Sequence, residues 1–361
     1  MRDYLASHAS QSLATGGFVI GLILGAVVFR TNFCAMGSIS DIVSFGDYRR
    51  FRAWVLAGVT AILGAQWLHH AGVVDLSKSM YLAPALNWVG NLIGGALFGF
   101  GMVFGGGCAT RNLARVGGGD LRSLITLLVL GISAYIAMTG ILGPLRLALE
   151  QATALPLGTA TQSLADLGGR LVNARPGASG PITTAAVAGI LIAFCFMDPK
   201  FRTSWMHIAS GIGVGLCIVA GWALTGLVFD ELADKPIAPL SLTFVRPTGE
   251  TLDWLQRSTA LGLPSFGVAS VFGTIAGAFL MAKASGKFRI TTFSGKDDTL
   301  RNLGGGILMG LGGIMALGCT IGQGITGIST LALGSFITFA GLIGGGILGV
   351  RALEKILLRD V

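Results

Sequence analysis

The sequence predicts an all-α, polytopic membrane protein with about nine transmembrane helices arranged as two inverted repeats. Three observations predict it. The 361 residues are 52% hydrophobic and 12% charged, with a mean hydropathy of +0.75, whereas soluble domains carry roughly 25% charged residues. Nine apolar runs approach the length of a membrane span, and a Gly-rich segment ending in cysteine occurs twice. The lipid bilayer is therefore the expected environment of the chain.

The nine runs come first, since a transmembrane helix needs about 20 apolar residues. The runs are 13–30, 52–73, 88–107, 122–142, 183–197, 205–225, 266–283, 302–318 and 333–350. The run 183–197 is the shortest and stands between two sets of four. We expect a single integral membrane domain, with 13–142 as a first half, 183–197 as a linking span and 205–350 as a second half.

The basic residues predict the orientation of these spans. With nine spans, 17 of the 25 Lys and Arg fall on one side of the membrane, which marks that side as cytoplasmic. The N-terminus is then expected outside, on the periplasmic face, and the C-terminus in the cytoplasm. The N-terminal run has no clear cleavage site, so we interpret it as a span and not as a signal peptide. The net charge of +8 is explained by this topology, and no nucleic-acid partner is expected.

The internal repeat joins residues 91–108 (NLIGGALFGFGMVFGGGC) and 302–319 (NLGGGILMGLGGIMALGC). At an offset of 211 they share nine of 18 residues, including Cys108 and Cys319, and SLIT at 123–126 matches SFIT at 335–338 after a one-residue shift. The predicted topology runs the two copies in opposite directions. Inverted repeats of this kind place a substrate site near the midplane, at broken helices.

The segments that follow the repeated cysteines predict such breaks. ATRNLARVGGGD follows Cys108 and TIGQGITGIST follows Cys319; both are too polar for a lipid-facing helix and too apolar for an ordinary loop. We interpret them as re-entrant elements, with Gly107 and Gly318 tied to the break, and RTNFCAMGSISDIV around Cys34 as a third. Non-helical backbone at membrane depth must be buried in protein or line a wet cavity.

An asparagine begins each repeated segment, and a residue with a side-chain amide follows each break. Asn91 and Asn302 stand at the starts of their runs, where asparagine commonly caps a helix, so both are expected as caps. Asn112 and Gln323 could each donate a hydrogen bond to an anion or could instead satisfy the backbone of the re-entrant element. The sequence leaves these two alternatives open.

The polar groups available at the midplane favour an anion or a neutral ligand. The interiors of the runs contain no carboxylate, which argues against a cation pump, and no phosphate-binding P-loop sequence is present. Helix N-termini favour anions, and the thiols of Cys34, Cys108 and Cys319 are weak S–H donors. Arg111 is expected to neutralise charge at the exit.

The cysteines also have a simpler interpretation, because free Cys often serves as a small buried hydrophobe. Their position at helix breaks favours a functional role for Cys108 and Cys319, and Cys34 lacks a repeat counterpart. Cys195 and Cys217 lie in ordinary spans and are expected to serve packing. No C-x-x-C pair occurs, so no metal site, disulfide framework or cofactor is expected.

Three stretches resemble the YeeE/YedE sulfur-transport family, which includes bacterial thiosulfate importers: VVFRTNFCAMG, GGGCATRNLARVGGGDLRSL and GLGGIMALGCTIGQGITGIST. The resemblance covers essentially the whole chain. It implies an hourglass-like fold, residence in the bacterial inner membrane, thiosulfate uptake, and functional cysteines at Cys34, Cys108 and Cys319. It also implies a cytoplasmic TusA-like sulfurtransferase as a partner.

The function expected from these observations is that of a transporter or channel-like importer, not an enzyme, in which the cysteines form a relay. Three alternatives stay open. The chain could carry another sulfur or selenium species, it could be a membrane thiol or persulfide oxidoreductase, or it could be a binding or scaffold protein for a sulfur-trafficking complex.

Overall fold

A computed structural model describes residues 8–171, 179–231 and 237–359, so the extreme chain ends, to which the predicted orientation refers, lie outside the described residues. Within these ranges the chain is almost entirely helical, with one short antiparallel strand pair, β1 (Ala85–Asn87) and β2 (Ala154–Pro156). In chain order the α-helices are α1 (Ala9–Thr31), α2 (Ala35–Phe45), α3 (Arg49–His70), α4 (Trp88–Phe104), α5 (Ala109–Gly117), α6 (Leu121–Met138), α7 (Gly143–Thr153), α8 (Leu164–Leu171), α9 (Ser179–Phe196), α10 (Pro199–Arg202), α11 (Trp205–Val228), α12 (Val245–Leu261), α13 (Phe266–Ala284), α14 (Lys296–Met315) and α15 (Leu333–Arg359). A 3₁₀ turn (Leu76–Lys78) and a π-helical segment (Gly322–Gly327) complete the elements.

Each predicted run corresponds to one long helix, and the all-α polytopic fold class is confirmed. Eight segments of the described residues are long and apolar enough to cross a membrane. Two of these segments, Ala9–Phe45 and Trp88–Gly117, each contain a long helix and the short helix that follows its break. The ninth long helix, α14, has charged residues in its first turns and is less apolar as a whole. Only 17% of α9 is buried inside the fold, so this linking helix is peripheral.

The two repeated helices, α4 and α14, pack antiparallel through glycine. A Cβ built at Gly94 would lie 2.7 Å from the carbonyl oxygen of Gly312, and one built at Gly312 would lie 2.7 Å from that of Gly94. Gly101 and Gly305 approach each other in the same way. Since the repeat offset carries Gly94 onto Gly305 and Gly101 onto Gly312, each contact is the counterpart of the other. An inverted repeat requires this relationship.

The helices beside this pair follow the same rule. The carbonyl oxygen of Thr338 on α15 lies against Gly95 of α4, and that of Thr126 on α6 lies against Gly306 of α14. Thr126 and Thr338 belong to the SLIT and SFIT segments. Small residues permit this close backbone approach in membranes, and the two halves use it at matched positions.

The expectation that Asn91 and Asn302 cap their helices is wrong. Asn87, not Asn91, caps α4, with its Oδ1 accepting from Gly90 N at 3.1 Å. Asn302 lies within α14 and donates to the carbonyl of Asp298 at 2.7 Å. Helix α4 begins at Trp88, three residues before Asn91, and α14 begins at Lys296, six residues before Asn302. In α14 polar residues occupy the first turns, which lie outside the apolar run.

Candidate functional site

Each predicted cysteine stands directly before a helical segment that follows a break. Cys34 is the N-cap of α2, and its Sγ lies 3.5 Å from the amide of Gly37. Cys108 is the N-cap of α5. Cys319 precedes the π-helical segment, and its Sγ lies 3.3 Å from the amide of Gly322. The three thiols therefore lie at helix starts, where unpaired backbone N–H groups favour negative charge.

The breaks before Cys108 and Cys319 have the same geometry. Gly106 and Leu317, which are related by the repeat, both have positive φ, at +69° and +58°. The next amides, of Gly107 and Gly318, each donate to the carbonyl five residues earlier, at 2.8 and 2.7 Å. This arrangement is a Schellman C-cap, for which glycine is usual. At Leu317 the left-handed conformation costs about 1–2 kcal/mol, so the surrounding structure must impose it.

Carboxamides stabilise both breaks. Gln323 Nε2 donates to the carbonyl of Ala316 at 2.5 Å, and Asn112 Nδ2 donates to that of Gly105 at 3.3 Å. The offset of 211 relates these two hydrogen bonds as well. Gln323 Oε1 also accepts from Ser335 Oγ at 2.6 Å. Of the two alternatives left open by the sequence, the geometry matches satisfaction of the re-entrant backbone.

Cys34 and Cys108, 74 positions apart in the chain, lie with their thiols side by side. The Cys108 thiol also adjoins the hydroxyl of Thr320, which directly follows Cys319. The exposed fractions of Cys34, Cys108 and Cys319 are 8%, 3% and 0%, and all three thiols are free. The fold thus arranges an unbroken series of neighbours, from Cys319 through Thr320 and Cys108 to Cys34.

A cavity of about 510 Å³ lies at the Cys319 end of this series. Its lining includes Gly318, Tyr81 and Thr243, and Thr243 also neighbours the Cys319 thiol. Two arginines line it, and each is paired with a glutamate at 2.6 Å, Arg146 with Glu150 and Arg246 with Glu250. The cavity is therefore polar at its rim without a large excess of charge.

Arginines gather at the opposite end, around Cys34 and Cys108. Arg111 donates to Asn32 Oδ1 at 2.8 Å, and its stem lies against Gly107. Arg115 donates to the carbonyl of Gly106 at 2.5 Å. Among the described residues neither guanidinium forms an ion pair. In the described part of the chain, no carboxylate neutralises the charge of either guanidinium by direct contact.

A third arginine joins this group, and sequence reasoning had assigned it to topology alone. Arg50 pairs with Asp41 at 3.2 Å and also touches Gly37, in the first turn after Cys34. Thr320 was missed as well, although its place beside Cys319 was a usable signal. Thr243 carries no local pattern, and only the fold brings it to Cys319.

Comparison with known proteins identifies the family of the chain. The profile of a family described as "Sulphur transport" matches residues 30–348. The chain is 29% identical over 349 residues to the thiosulfate transporter TsuA of Escherichia coli strain K12, covering 92% of this chain and 91% of that protein. It is 27% identical over 334 residues to the thiosulfate transporter TsuA of Spirochaeta thermophila, covering 89% of this chain and 93% of that protein. The chain is a multi-pass helical membrane protein with three buried thiols at helix breaks, and the family profile matches most of its length. It belongs to the sulphur transport family.

Proposed function

We propose that the protein imports thiosulfate across the bacterial inner membrane, as a transporter and not as an enzyme. The observation that carries this proposal is the series of neighbours from Cys319 through Thr320 and Cys108 to Cys34. It joins the 510 Å³ cavity at one end to the Arg111 and Arg115 group at the other. The similarity to two thiosulfate transporters supports thiosulfate as the cargo.

The thiols suit an anion that has a soft terminal sulfur. S–H···S contacts are weak, and conduction needs binding that is weak and multi-site enough to permit release. The helix starts behind the thiols supply partial positive charge without a fixed cation. A dianion can then pass from one site to the next, and Arg111 and Arg115 attract it at the exit. Gly107 and Gly318 shape the breaks that present the thiols.

The orientation that we propose places the N-terminus in the periplasm and the C-terminus in the cytoplasm. The 17 basic residues assigned to one side support it. The cavity, lined by loops on the other side, would then open to the periplasm, and the arginine group would face the cytoplasm. A TusA-like sulfurtransferase could receive the cargo there. The halves 13–142 and 205–350, joined by 183–197, would form one membrane domain around the path.

The test is uptake of ³⁵S-thiosulfate into proteoliposomes that contain the purified protein. Cys108→Ala and Cys319→Ala should each reduce uptake strongly, because each removes one site from the series. Cys217→Ala is the matched control, since Cys217 is equally buried but lies within the ordinary helix α11. Full uptake by both cysteine variants, in well-folded protein, would rule out the relay.

One observation favours a second candidate function. The adjacency of Cys34 and Cys108 is also what a membrane thiol or persulfide oxidoreductase would need. That function requires a covalent intermediate on one of the two thiols. Mass spectrometry of protein trapped during turnover distinguishes the cases: an adduct or disulfide that forms and decays with turnover supports the oxidoreductase, and unmodified thiols support passage of the intact anion.

A further inference from the structure

A small cavity lies between the element that follows Cys34 and the element that follows Cys319. Its lining includes Ala35 and Ser38 from α2, Trp54 from α3, and Thr320. The space is about 10 Å³, which is room for one water molecule. Because it adjoins the residues next to two of the cysteines, this cavity lies beside the series of thiols.

Two of the three polar side chains that line this cavity have no nitrogen or oxygen hydrogen-bond partner in the described part of the chain. Ser38 Oγ donates to the carbonyl of Ala35 at 2.6 Å. By contrast, Trp54 Nε1 is buried without a hydrogen-bond partner in the described part of the chain. In the same part of the chain, Thr320 Oγ1 has no hydrogen-bond partner other than the Cys108 thiol. Their exposed fractions are 3% and 2%, so water does not satisfy them from the surface.

Unsatisfied donors of this kind are costly, because a buried polar group loses its hydration without compensation. Native structures retain few of them, and each calls for an explanation such as a ligand. Here a residue with a buried N–H and a residue with a buried O–H line the same small space beside the series of thiols. Both groups can donate a hydrogen bond to an oxygen acceptor.

The repeat shows that Thr320 is not imposed by the fold. The residue at the equivalent position in the first half is Ala109, which directly follows Cys108 and is fully buried. A methyl group therefore satisfies the packing at this point of the break. The hydroxyl at Thr320 adds a polar function on one side of the pseudo-symmetric site only.

We infer that Trp54 Nε1–H and Thr320 Oγ1–H form an oxyanion site that binds the sulfonate oxygens of the cargo while the cysteine thiols contact its terminal sulfur. This inference rests on the proposed function and deepens it. The thiols alone cannot distinguish thiosulfate from a sulfur species that lacks oxygens. The two donors supply that discrimination, since they recognise the –SO₃ end of the molecule.

The size of the cavity adds a condition. A tetrahedral oxyanion is larger than one water, so the two donors meet it only when the apolar side chains opposite move aside. Phe339 stacks on Trp54 with ring centroids 4.6 Å apart, and Met102 lies on the same lining. The site is therefore occluded in this conformation and forms its contacts during passage.

The test compares uptake of ³⁵S-thiosulfate by proteoliposomes containing the wild type, Thr320→Val, Thr320→Ser or Trp54→Phe. Thr320→Val keeps the shape and removes the hydroxyl, and Trp54→Phe removes the N–H. Each should raise the KM for thiosulfate about tenfold, the usual effect of losing one hydrogen bond to a charged group. Thr320→Ser should stay within about threefold of the wild type, since it retains the donor.

The matched control is Thr338→Val. Thr338 is also fully buried with an unpartnered hydroxyl, but it does not line this cavity, so its KM should not change. Sulfate, which has the oxygens without the terminal sulfur, should compete with uptake, and its inhibition constant should rise in parallel with the KM in both donor variants. A purely structural defect would lower the maximal rate and leave the inhibition constant unchanged.

The outcomes separate the inference from the function on which it rests. If the wild type takes up no thiosulfate, the proposed function fails. If the wild type transports and both donor variants keep its KM and its sulfate inhibition, the oxyanion site alone is refuted. Should Thr320→Val not fold, Trp54→Phe and the sulfate competition still decide the matter.

Discussion

The Cys108 thiol lies against the hydroxyl of Thr320, 212 positions further along the chain. This contact joins the break in the first half to the break in the second, because Thr320 directly follows Cys319. It makes the buried thiols neighbours in one series instead of separate packing cysteines. The predictions below concern the elements that hold this series in place.

Cys34 and Cys108 should form a disulfide under mild oxidation. In a background with Cys195, Cys217 and Cys319 changed to Ser, copper phenanthroline would take two electrons and two protons from the adjacent thiols. Mass spectrometry of the alkylated protein would show the loss of two hydrogens and no alkylation at either position. In protein that keeps Cys319, with only Cys195 and Cys217 changed to Ser, the same oxidation should abolish thiosulfate uptake, and dithiothreitol should restore it. Alkylation of both thiols after oxidation would contradict their adjacency.

Gly312→Ala should destabilise the protein. The new Cβ would lie 2.7 Å from the carbonyl oxygen of Gly94, so α4 and α14 must separate, at a cost of about 1–3 kcal/mol. Thermal unfolding in detergent, followed by the loss of monodisperse protein, should shift several degrees downward. Gly304→Ala is the control on the same helix, because no atom lies within 4 Å of its Cβ position. Equal melting temperatures for the two variants would disprove the close contact.

Gln323→Leu should loosen the second break. The substitution leaves the Ala316 carbonyl and the Ser335 hydroxyl without the partners that they have at 2.5 and 2.6 Å, a penalty of about 1–3 kcal/mol for each buried group. Hydrogen–deuterium exchange should accelerate in residues 316–322, and uptake should fall. Gln66→Leu is the comparison variant. Gln66 Nε2 donates a hydrogen bond to the Ser329 carbonyl at 3.1 Å, which lies outside residues 316–322, so its loss should not accelerate exchange there. Unchanged exchange in 316–322 would show that the carboxamide is dispensable.

Arg111→Gln should slow uptake roughly threefold to tenfold, because it removes an unpaired charge that attracts the anion. Arg111→Lys keeps the charge and should lose less. The effect should shrink at high ionic strength, since salt screens such attraction over a Debye length of about 10 Å at 0.1 M. Lys355→Gln, an exposed change near the end of α15, should have no effect. A salt-independent defect in Arg111→Gln would indicate a structural role instead.

Periodic and repeated features of this fold could be predicted from the sequence. The nine apolar runs follow from hydropathy alone, and the offset of 211 between Cys108 and Cys319 already implied matched breaks. The exact helix starts could not be predicted, because polar first turns such as that of α14 carry no apolar signal. The cap expected at Asn302 was wrong for this reason, and the cap expected at Asn91 was wrong because the helix begins with its apolar run at Trp88, before the repeated segment.

The candidate site was less accessible to sequence reasoning. Leu317 gives no hint of a positive φ, since that conformation is normally taken by glycine. The adjacency of Cys34 and Cys108, and the meeting of Trp54 with Thr320, arise from packing between segments far apart in the chain. No local pattern encodes such contacts, and they depend on how closely the glycine faces of the helices approach.

The glycine contact between α4 and α14 also limits how the protein can move. Many transporters with inverted repeats achieve alternating access by rocking one repeat against the other. Here the backbones of α4 and α14 are in direct contact at the boundary of the repeats. Few flexible side chains separate the two helices there, so one repeat has little room to rock against the other. Opening would therefore fall to the short segments that follow the cysteines and to side chains such as Phe339. A transport cycle of this type would need only small displacements, and its gate would consist of the same few residues as the proposed binding sites.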